Sequence, residues 1–353
     1  MTDNERIVAQ RGRSAGVATI KDVARLAGVS PSSVSMALSD HPRISAGTKE
    51  IVRQAAAQLN YVPNSAGRAL RARKVDAVAV VVPHTSHDFF SHPYLVALLE
   101  GITQAANEYD LTTILSLSPS KTDEEAAYRR IQRGQRADGV IVSAASASDF
   151  HVDQLVAAGF PVVLVGRIPR NPEVVAVGED DRGGAEQVTA HLLDVHGLRR
   201  VAHISGPLNH QSAIDKREGY RDALARHGLA YDERIVVEGD YTEECGYRAC
   251  AALLDAGDTF DAIFAGNDQM AFGALGALQA RGLDAPRDIA IVGFDDIPLA
   301  GVMHPQLTTV AAPVIRAGHL ALERLCDLIA GRMPEPRQLE LPTELVIRRS
   351  CGC

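Results

Sequence analysis

Residues 19–38 read TIKDVARLAGVSPSSVSMAL and contain two helix starts separated by a glycine. Thr19 is placed to cap the first helix, with Asp22 near the positive end of the helix dipole. Gly28 suits the left-handed position that ends such a helix. Ser30 then caps a second helix, in which Pro31 takes the first position, where its missing N–H costs nothing. Two short helices joined by a tight turn are typical of a helix-turn-helix.

A third helix is predicted to support this pair, with Ser45 as its cap. Apolar residues recur after the cap at helical spacing: Ile51, Val52, Ala55, Ala56 and Leu59. In a helix-turn-helix the second helix enters the major groove of DNA. The competing interpretation is a small helical bundle without a nucleic-acid role.

The charge distribution favours the DNA-binding interpretation. The whole chain has a net charge of −8, but residues 1–74 hold 12 Lys and Arg against 5 Asp and Glu, a net +7. Residues 75–353 hold 24 and 39, a net −15. A basic head on an acidic body is expected of a DNA-binding module joined to a sensor domain.

Residues 75–353 alternate apolar runs with amphipathic stretches. Strands are predicted at 77–82, 112–117, 139–143, 162–165, 200–204, 262–264 and 289–293, and helices at 93–109, 123–132, 183–195, 216–227 and 268–280. Continuous apolar strands between helices predict an α/β fold with parallel sheets covered on both faces. The length suits two such lobes.

Ligands of these folds bind beyond the carboxyl ends of the strands. Polar residues at those positions include Tyr94, Arg167, Asn267 and Asp295. Polar groups at strand ends are common in α/β enzymes too, so position alone does not identify a ligand. We find no Walker loop and no Gly-x-Ser-x-Gly elbow, and we predict no catalytic residues and no cofactor.

The five cysteines are sparse and odd in number, which indicates reduced thiols rather than a disulfide framework. No His/Cys set has the sequence spacing of a zinc site, so no metal is predicted. Cys351 and Cys353 suit metal binding or a redox response, but a frayed terminus carrying two thiols is the favoured interpretation. No run of about 18 apolar residues and no signal peptide is found, which predicts a cytoplasmic protein without a membrane partner.

The head resembles the lactose/galactose repressor (LacI/GalR) family in residues 19–30, 34–35 and 59–64. The resemblance continues through Gly206-Pro207, residues 219–224, 266–271, 293–296, 305–310 and 345–350, and so covers roughly residues 19–350. It implies a helix-turn-helix head and a two-lobed sensor like the periplasmic sugar-binding proteins, crossed by three strands. Residues 1–18 have no periodic apolar face and are predicted to be a disordered tail. The resemblance implies that the DNA-binding domain (19–62), a hinge helix or linker (63–74) and an effector-binding and dimerisation domain (75–353) follow.

The resemblance implies DNA contacts from the head and hinge. The DNA-binding residues expected are Thr19, Pro31, Ser32, Ser33, Ser35, Met36, Asn64, Arg68, Leu70 and Arg71. Met36 stands where the family often has arginine, and methionine cannot pair bidentately with guanine, so an apolar contact such as a thymine methyl is expected. Leu70 is expected to wedge into the minor groove and kink the duplex.

The effector-binding residues implied are Tyr94, Arg167, Lys216, Arg217, Tyr241, Asn267 and Asp295. Lys216 and Arg217 are alternatives for a position at which the family often has arginine. Gly166 stands where some relatives have a ligand-binding aspartate.

The predicted function is a transcriptional regulator, expected to be a repressor, whose affinity for an inverted-repeat operator is set by a small-molecule effector. The partners are operator DNA, the effector and a second copy of the chain, as a homodimer or within a tetramer. A sugar or sugar derivative is the first effector class, and a purine or nucleoside is the second. Two different functions compete with this prediction. A plain binding protein of the same fold would need a signal peptide, and an α/β enzyme would need a catalytic constellation, and neither is found.

Overall fold

The computed structural model of the chain describes residues 18–61, 75–83, 92–118, 128–131, 136–143 and 150–353. The chain forms two compact units, residues 1–73 and 74–353. The predicted tail, apart from Ala18, and the predicted hinge at 63–74 lie outside the described residues, as does most of the helix predicted at 123–132.

The first unit contains three helices: α1 (Ile20–Ala27), α2 (Pro31–Leu38) and α3 (Ala46–Gln58). The Asp22 carboxylate accepts hydrogen bonds from the backbone N–H of Thr19 at 3.0 Å and from its hydroxyl at 2.6 Å. Gly28 ends α1 at φ 66°, and the Ser30 hydroxyl accepts the N–H of Ser33 at 3.1 Å. These local bonds satisfy helix-end groups, which is why the boundaries agree with the sequence prediction.

The three helices enclose a small core around Val23, Val34 and Val52, each with no exposed surface. Ile51 shares the helical spacing of the apolar residues of α3, but its side chain is 53% exposed. Successive helical residues are about 100° apart, so Ile51 is turned away from the side that Val52 buries.

The second unit contains twelve strands and seven α-helices with defined bounds among its described residues, and residues 128–131 are helical as well. The first lobe contributes β1 (Ala77–Pro83), α4 (Pro93–Glu108), β2 (Thr112–Ser118), β3 (Gly139–Ser143), α5 (Phe150–Ala157), β4 (Val162–Val165) and β5 (Val175–Glu179). The second lobe contributes α6 (Asp181–Asp194), β6 (Val201–Ser205), α7 (Gln211–Arg226), β7 (Val236–Glu238), α8 (Glu243–Asp255), β8 (Ala262–Ala265), α9 (Asp268–Gln279), β9 (Ala290–Val292) and β10 (Thr309–Ala311). The chain ends with α10 (Val314–Ile329), β11 (Gln338–Leu341) and β12 (Glu344–Val346).

Each lobe is built on a parallel sheet, as the apolar strands predict. The first lobe has the strand order β11-β5-β4-β3-β1-β2, and the second has β7-β6-β8-β9. α10 packs in the first lobe against α4, in the same apolar cluster as the buried residues of β1 and β5. α6 and α7 pack together in the second lobe.

The chain crosses between the lobes three times. The first crossing runs from β5 to α6, the second from β10 to α10 and the third from β11 to β12. β10 and β12 pair antiparallel beside one another. The three crossings implied by the family resemblance are therefore present, and they place the ends of β5 and the start of α6 at the junction of the lobes.

Among the described residues, no helix is both long and apolar enough to cross a bilayer.

Candidate functional site

A group of charged side chains lies at the first crossing between the lobes. Glu179 is the last residue of β5, and Asp181 is the first residue of α6. Both are buried, with 6% and 7% of their surface exposed. We call Glu179, Asp181, Asp295 and Lys216 the cleft cluster.

Lys216 lies at the centre of the cleft cluster. It is carried by α7, and its Nζ is 3.4 Å from a carboxylate oxygen of Asp181 and 3.9 Å from one of Asp295. The same Nζ donates to the carbonyl of Gly266 at 3.3 Å and lies 3.8 Å from the centre of the Phe294 ring. These contacts explain how an ammonium group can remain charged at 5% exposure.

The charges of the cleft cluster depend on one another. Burial raises the pKa of Asp295 to about 6 and raises that of Asp181, while Lys216 opposes both shifts. Burial alone would lower the pKa of Lys216, but Asp181 and Asp295 reverse the effect and raise it. Three carboxyl groups therefore share one cation, and the site favours neutral ligands or ligands rich in hydrogen-bond donors.

Tyr94, at the start of α4, closes the first-lobe side of the cluster. Its hydroxyl donates to Glu179 at 3.3 Å, and burial together with that carboxylate raises the pKa of Tyr94 well above its usual value. Burial and the nearby Asp181 raise the pKa of Glu179 to about 8. Glu179 is consequently protonated in most molecules at neutral pH and can donate as well as accept a hydrogen bond.

Gly166 leaves the space that the Tyr94 hydroxyl fills. A Cβ at this position would lie 2.9 Å from that hydroxyl oxygen, and the backbone has φ +95°. The hydroxyl thus occupies the region where an aspartate side chain at position 166 would begin.

Tyr241 borders the cleft cluster on the side of the second lobe. Its ring lies against Gly206, where a Cβ would approach the ring within 2.2 Å. Ser212 on α7 is among the groups that oppose the rise in the pKa of Asp181 and of Tyr241, and burial raises the pKa of Tyr241 to about 12. The tyrosine is therefore fixed at the cluster by α7 as well as by its own loop.

Asn267 is placed beside the cluster but also serves the fold. Its side-chain oxygen accepts the N–H of Met270 at 2.9 Å and so caps α9. Its amide nitrogen donates to the carbonyl of Tyr241 at 3.0 Å. The side-chain amide of Asn267 therefore already bonds to the Tyr241 loop and to α9 in the ligand-free protein.

The two basic candidates outside the cleft cluster have different surroundings. Arg167 follows β4 and is buried, and it is among the groups that oppose the burial-induced rise in the pKa of Asp215. Arg217 is half-buried, and it contributes, less than burial does, to lowering the pKa of His203 to about 4. Of the two neighbouring alternatives, the structure brings Lys216 to the carboxylates, because adjacent helical residues face directions about 100° apart.

Three residues of the site were missed by the sequence analysis: Glu179, Asp181 and Ser212. Glu179 and Asp181 follow the short apolar run 174–177, and the rule that found Asn267 and Asp295 would have found them had that run been assigned as a strand. Ser212 lies within a helix, where no strand-end signal exists.

In the first unit, Pro31 and Ser32 are exposed at the start of α2, whereas Ser33, Ser35 and Met36 are half-buried. Thr19 is exposed at the start of α1. Val34 and Ala37 are buried and hold α2 against the other two helices. The remaining predicted DNA-binding residues, Asn64, Arg68, Leu70 and Arg71, lie outside the described residues.

Two family profiles match the chain. The profile described as "Bacterial regulatory proteins, lacI family" matches residues 19–64. The profile described as "Periplasmic binding proteins and sugar binding domain of LacI family" matches residues 75–349.

Similar proteins span the same length. The transcriptional regulator CelR of Thermobifida fusca is 36% identical over 334 residues, which are 94% of this chain and 98% of CelR. Catabolite control protein A of Priestia megaterium is 32% identical over 336 residues, with 94% and 98% of the two chains covered.

Two solved structures extend the comparison. A CelR–cellobiose complex has a TM-score of 0.73 at 34% identity, covering 94% of this chain and 99% of that one. A lac repressor dimer bound to operator and the anti-inducer ONPF has a TM-score of 0.85 at 26% identity, covering 95% and 99%. Both profiles, one on each unit, and relatives that match nearly end to end lead to one conclusion: this chain belongs to the LacI family of bacterial regulatory proteins and is a DNA-binding transcriptional regulator.

Proposed function

We propose that the protein is a repressor that binds an inverted-repeat operator as a homodimer and responds to a neutral sugar bound at the cleft cluster. The observation that carries the proposal is the arrangement of Glu179, Asp181 and Asp295 around Lys216, at the crossing between two lobes. A structure similar in fold and sequence contains cellobiose.

The chemistry of the cluster favours a sugar without a phosphate. Carboxylates accept hydrogen bonds from pairs of hydroxyl groups, and protonated Glu179 adds a hydroxyl donor. An anionic ligand would face the charged carboxylates of Asp181 and Asp295 with a single lysine between them, and burial in a low dielectric would increase that repulsion. A purine or nucleoside is the second candidate class, supported by the aromatic side chain of Tyr241 at the cluster.

The site residues are proposed from these placements. Tyr94, Lys216, Tyr241, Asn267 and Asp295 contact the effector or hold the residues that do. Arg167 and Arg217 are proposed as flanking residues on the two sides. The cleft binds its ligand without converting it, so regulation depends on a binding equilibrium.

The head supplies the operator contacts. Pro31, Ser32 and Met36 on α2 are proposed to face base edges, supported by the position of α2 as the second helix of the motif. Each chain carries one such helix, so two chains are needed to read an inverted repeat. Because the protein acts on operator DNA, the proposed location is the cytoplasm.

A ligand screen tests the effector. The full-length chain is heated with cellobiose, glucose, glucose 6-phosphate, hypoxanthine or guanosine, because a ligand that binds the folded state raises Tm by mass action. We expect a shift with a neutral sugar and none with the phosphate. A shift with the purines alone would contradict the sugar assignment.

A DNA selection tests the operator. Full-length protein is used to select from a random duplex library, and we expect an inverted repeat whose affinity falls as salt rises. The proposed sugar is then added to the selected complex and should release it. Recovery of sequences without two-fold symmetry would contradict dimeric operator recognition.

A further inference from the structure

The C-terminus is built into the second lobe. Cys351 is 3% exposed, and its Sγ accepts a hydrogen bond from the hydroxyl of Thr308 at 3.1 Å. The Ser350 hydroxyl donates to the carbonyl of Ile291 at 2.5 Å and accepts the N–H of Thr308 at 2.8 Å. The expectation of a frayed terminus was therefore wrong, because side-chain bonds tie these residues to β9 and to the segment before β10.

Two histidines face the terminal cysteines. His191 lies in the last turn of α6, and His196 follows the helix. Their rings are 5.1 Å apart and nearly perpendicular, at 80°. The Sγ of Cys353 is 3.6 Å from Nε2 of His191 and 3.4 Å from Nε2 of His196.

One ligand atom from each of His191, His196, Cys351 and Cys353 lies within 4.8 Å of the other three. Within the part of the chain that the structure describes, this is the one group of three or more such residues with the spacing of a metal site. Sequence spacing could not show it, because about 155 residues separate the two histidines from the two cysteines.

The geometry matches tetrahedral Zn²⁺. Zinc binds thiolate at about 2.3 Å and imidazole at about 2.0–2.1 Å, which places tetrahedral ligand atoms about 3.3–3.8 Å from one another. Both measured sulfur–nitrogen distances fall in this range, and the largest separation of 4.8 Å exceeds it by about 1 Å, which side-chain rotation can remove. We infer that these four residues form a structural Zn²⁺ site.

The Thr308 hydroxyl suits a thiolate at Cys351, whose thiol otherwise donates to the carbonyl of Arg348 at 3.6 Å. The Thr308 hydroxyl already donates to the Cys351 sulfur, the kind of outer hydrogen bond that steadies a metal-bound thiolate. Gly352 has φ +107°, and a Cβ there would lie 3.5 Å from the His196 ring, in ordinary contact. Gly352 lies between Cys351 and Cys353, and its left-handed backbone is found where the sulfurs of both cysteines lie near the imidazoles of His191 and His196.

Zinc binding would release the two thiol protons to solvent and leave both imidazoles neutral. The metal would join the end of α6 to the C-terminus. Asp181 at the other end of α6 belongs to the cleft cluster, ten residues and about 15 Å along the same helix. The site is thus separate from the effector cleft, and it stabilises the lobe that carries Lys216.

Metal analysis on the full-length chain tests the site. Protein kept in a thiol-free reductant is loaded with ZnCl₂ alone, passed through gel filtration and analysed for zinc per chain. We expect one Zn²⁺ per chain, and we expect CoCl₂ alone to give the intense visible absorption of tetrahedral cobalt thiolate. Zinc should also raise Tm by mass action.

Variants separate this site from adventitious binding. Cys353→Ser removes a ligand at an exposed terminal residue, and His196→Gln removes one after the end of α6. Both should lose stoichiometric zinc and the cobalt spectrum while keeping the circular dichroism of the wild type. Cys245→Ser is the matched control and should keep both, because Cys245 lies on α8, outside the cluster.

Two results would overturn the inference. The first is reduced wild-type protein that retains no more zinc than Cys353→Ser. The second is a wild-type chain that binds no zinc when reduced and, without reductant, loses two hydrogens in mass that Cys353→Ser does not lose; that would show a redox pair at Cys353 instead.

Discussion

The substitution Asp295→Asn should stabilise the ligand-free protein while weakening its effector binding. The carboxylate of Asp295 is 12% exposed, and its nearest cation in the cleft cluster is Lys216 at 3.9 Å. Asn has nearly the same shape and tolerates the positive φ of 105° found at this position. The change therefore removes a buried charge with little change in packing.

The shift in the pKa of Asp295 sets the size of the expected increase in the free energy of unfolding. A carboxyl whose pKa is raised from 3.8 to about 6 by folding favours its neutral form in the native state by about 3 kcal/mol. The charged form destabilises the native state, so this cost is absent below pH 3.8, grows as the pH rises and is complete above about pH 6. Asn avoids the cost, so the free energy of unfolding should rise by up to about 3 kcal/mol near pH 7.5 and by about half of that near pH 5.

Effector binding should change in the opposite direction. A hydrogen bond to a charged group contributes about 1.5–3 kcal/mol, so the dissociation constant for the sugar should rise about 10- to 150-fold. Urea unfolding at the two pH values and titration calorimetry measure both effects. Asp296→Asn is the matched control, because its neighbouring carboxylate pairs with Arg348 at 2.7 Å instead of Lys216. Lower stability of Asp295→Asn near pH 7.5 would refute the reasoning, and an unchanged sugar affinity would remove Asp295 from the site.

Four further changes test other parts of the molecule. Gly166→Ala should lower the free energy of unfolding by about 1–3 kcal/mol more than Gly159→Ala in urea titrations, because both have positive φ but the added methyl meets a tyrosine hydroxyl only at position 166; equal losses would contradict the contact. Glu179→Gln should flatten the decline in stability between pH 4.5 and about 8, since burial raises the pKa of this carboxyl across that interval; parallel pH profiles would contradict it. Met36→Arg should shift a selected operator toward guanine at one position in each half-site, by about 1–3 kcal/mol, and an identical consensus would show that this side chain does not read a base. Leu70→Ala should lose specific operator binding in mobility-shift assays yet keep salt-dependent binding to random DNA; wild-type affinity for both would make residues 63–74 a passive tether.

The sequence predicted the boundaries of those helices whose ends are set by capping residues in the helix itself or next to it. The boundaries of α1 and α2 follow from Thr19, Asp22, Gly28, Ser30 and their neighbours, which act within a few residues. The alternation of apolar strands and helices was enough to predict parallel sheets. Helical spacing alone does not say which edge of an apolar stripe faces the core, so it could not show that Ile51 is exposed.

The site was predicted in part for the same reason. Asn267 and Asp295 follow apolar runs that were assigned as strands, so their strand-end positions were visible in the sequence. Glu179 was missed because the four apolar residues ahead of Gly178 were not assigned as a strand, although runs as short as 162–165 and 262–264 were. The choice between Lys216 and Arg217 required the rotation of α7, which only packing sets.

The first crossing leaves one residue, Asp180, between the end of the β5 strand and the start of the α6 helix. Glu179 thus moves with one lobe and Asp181 with the other, although they are two positions apart in the chain. A ligand bound to both Glu179 and Asp181 would contact the domain beside the point at which the two lobes are joined. Rotation about that point displaces atoms in proportion to their distance from it, so a small adjustment at the ligand becomes a larger movement at the outer ends of the lobes. If the effector binds both carboxylates as proposed, a ligand of a few ångströms would shift the outer ends of both lobes.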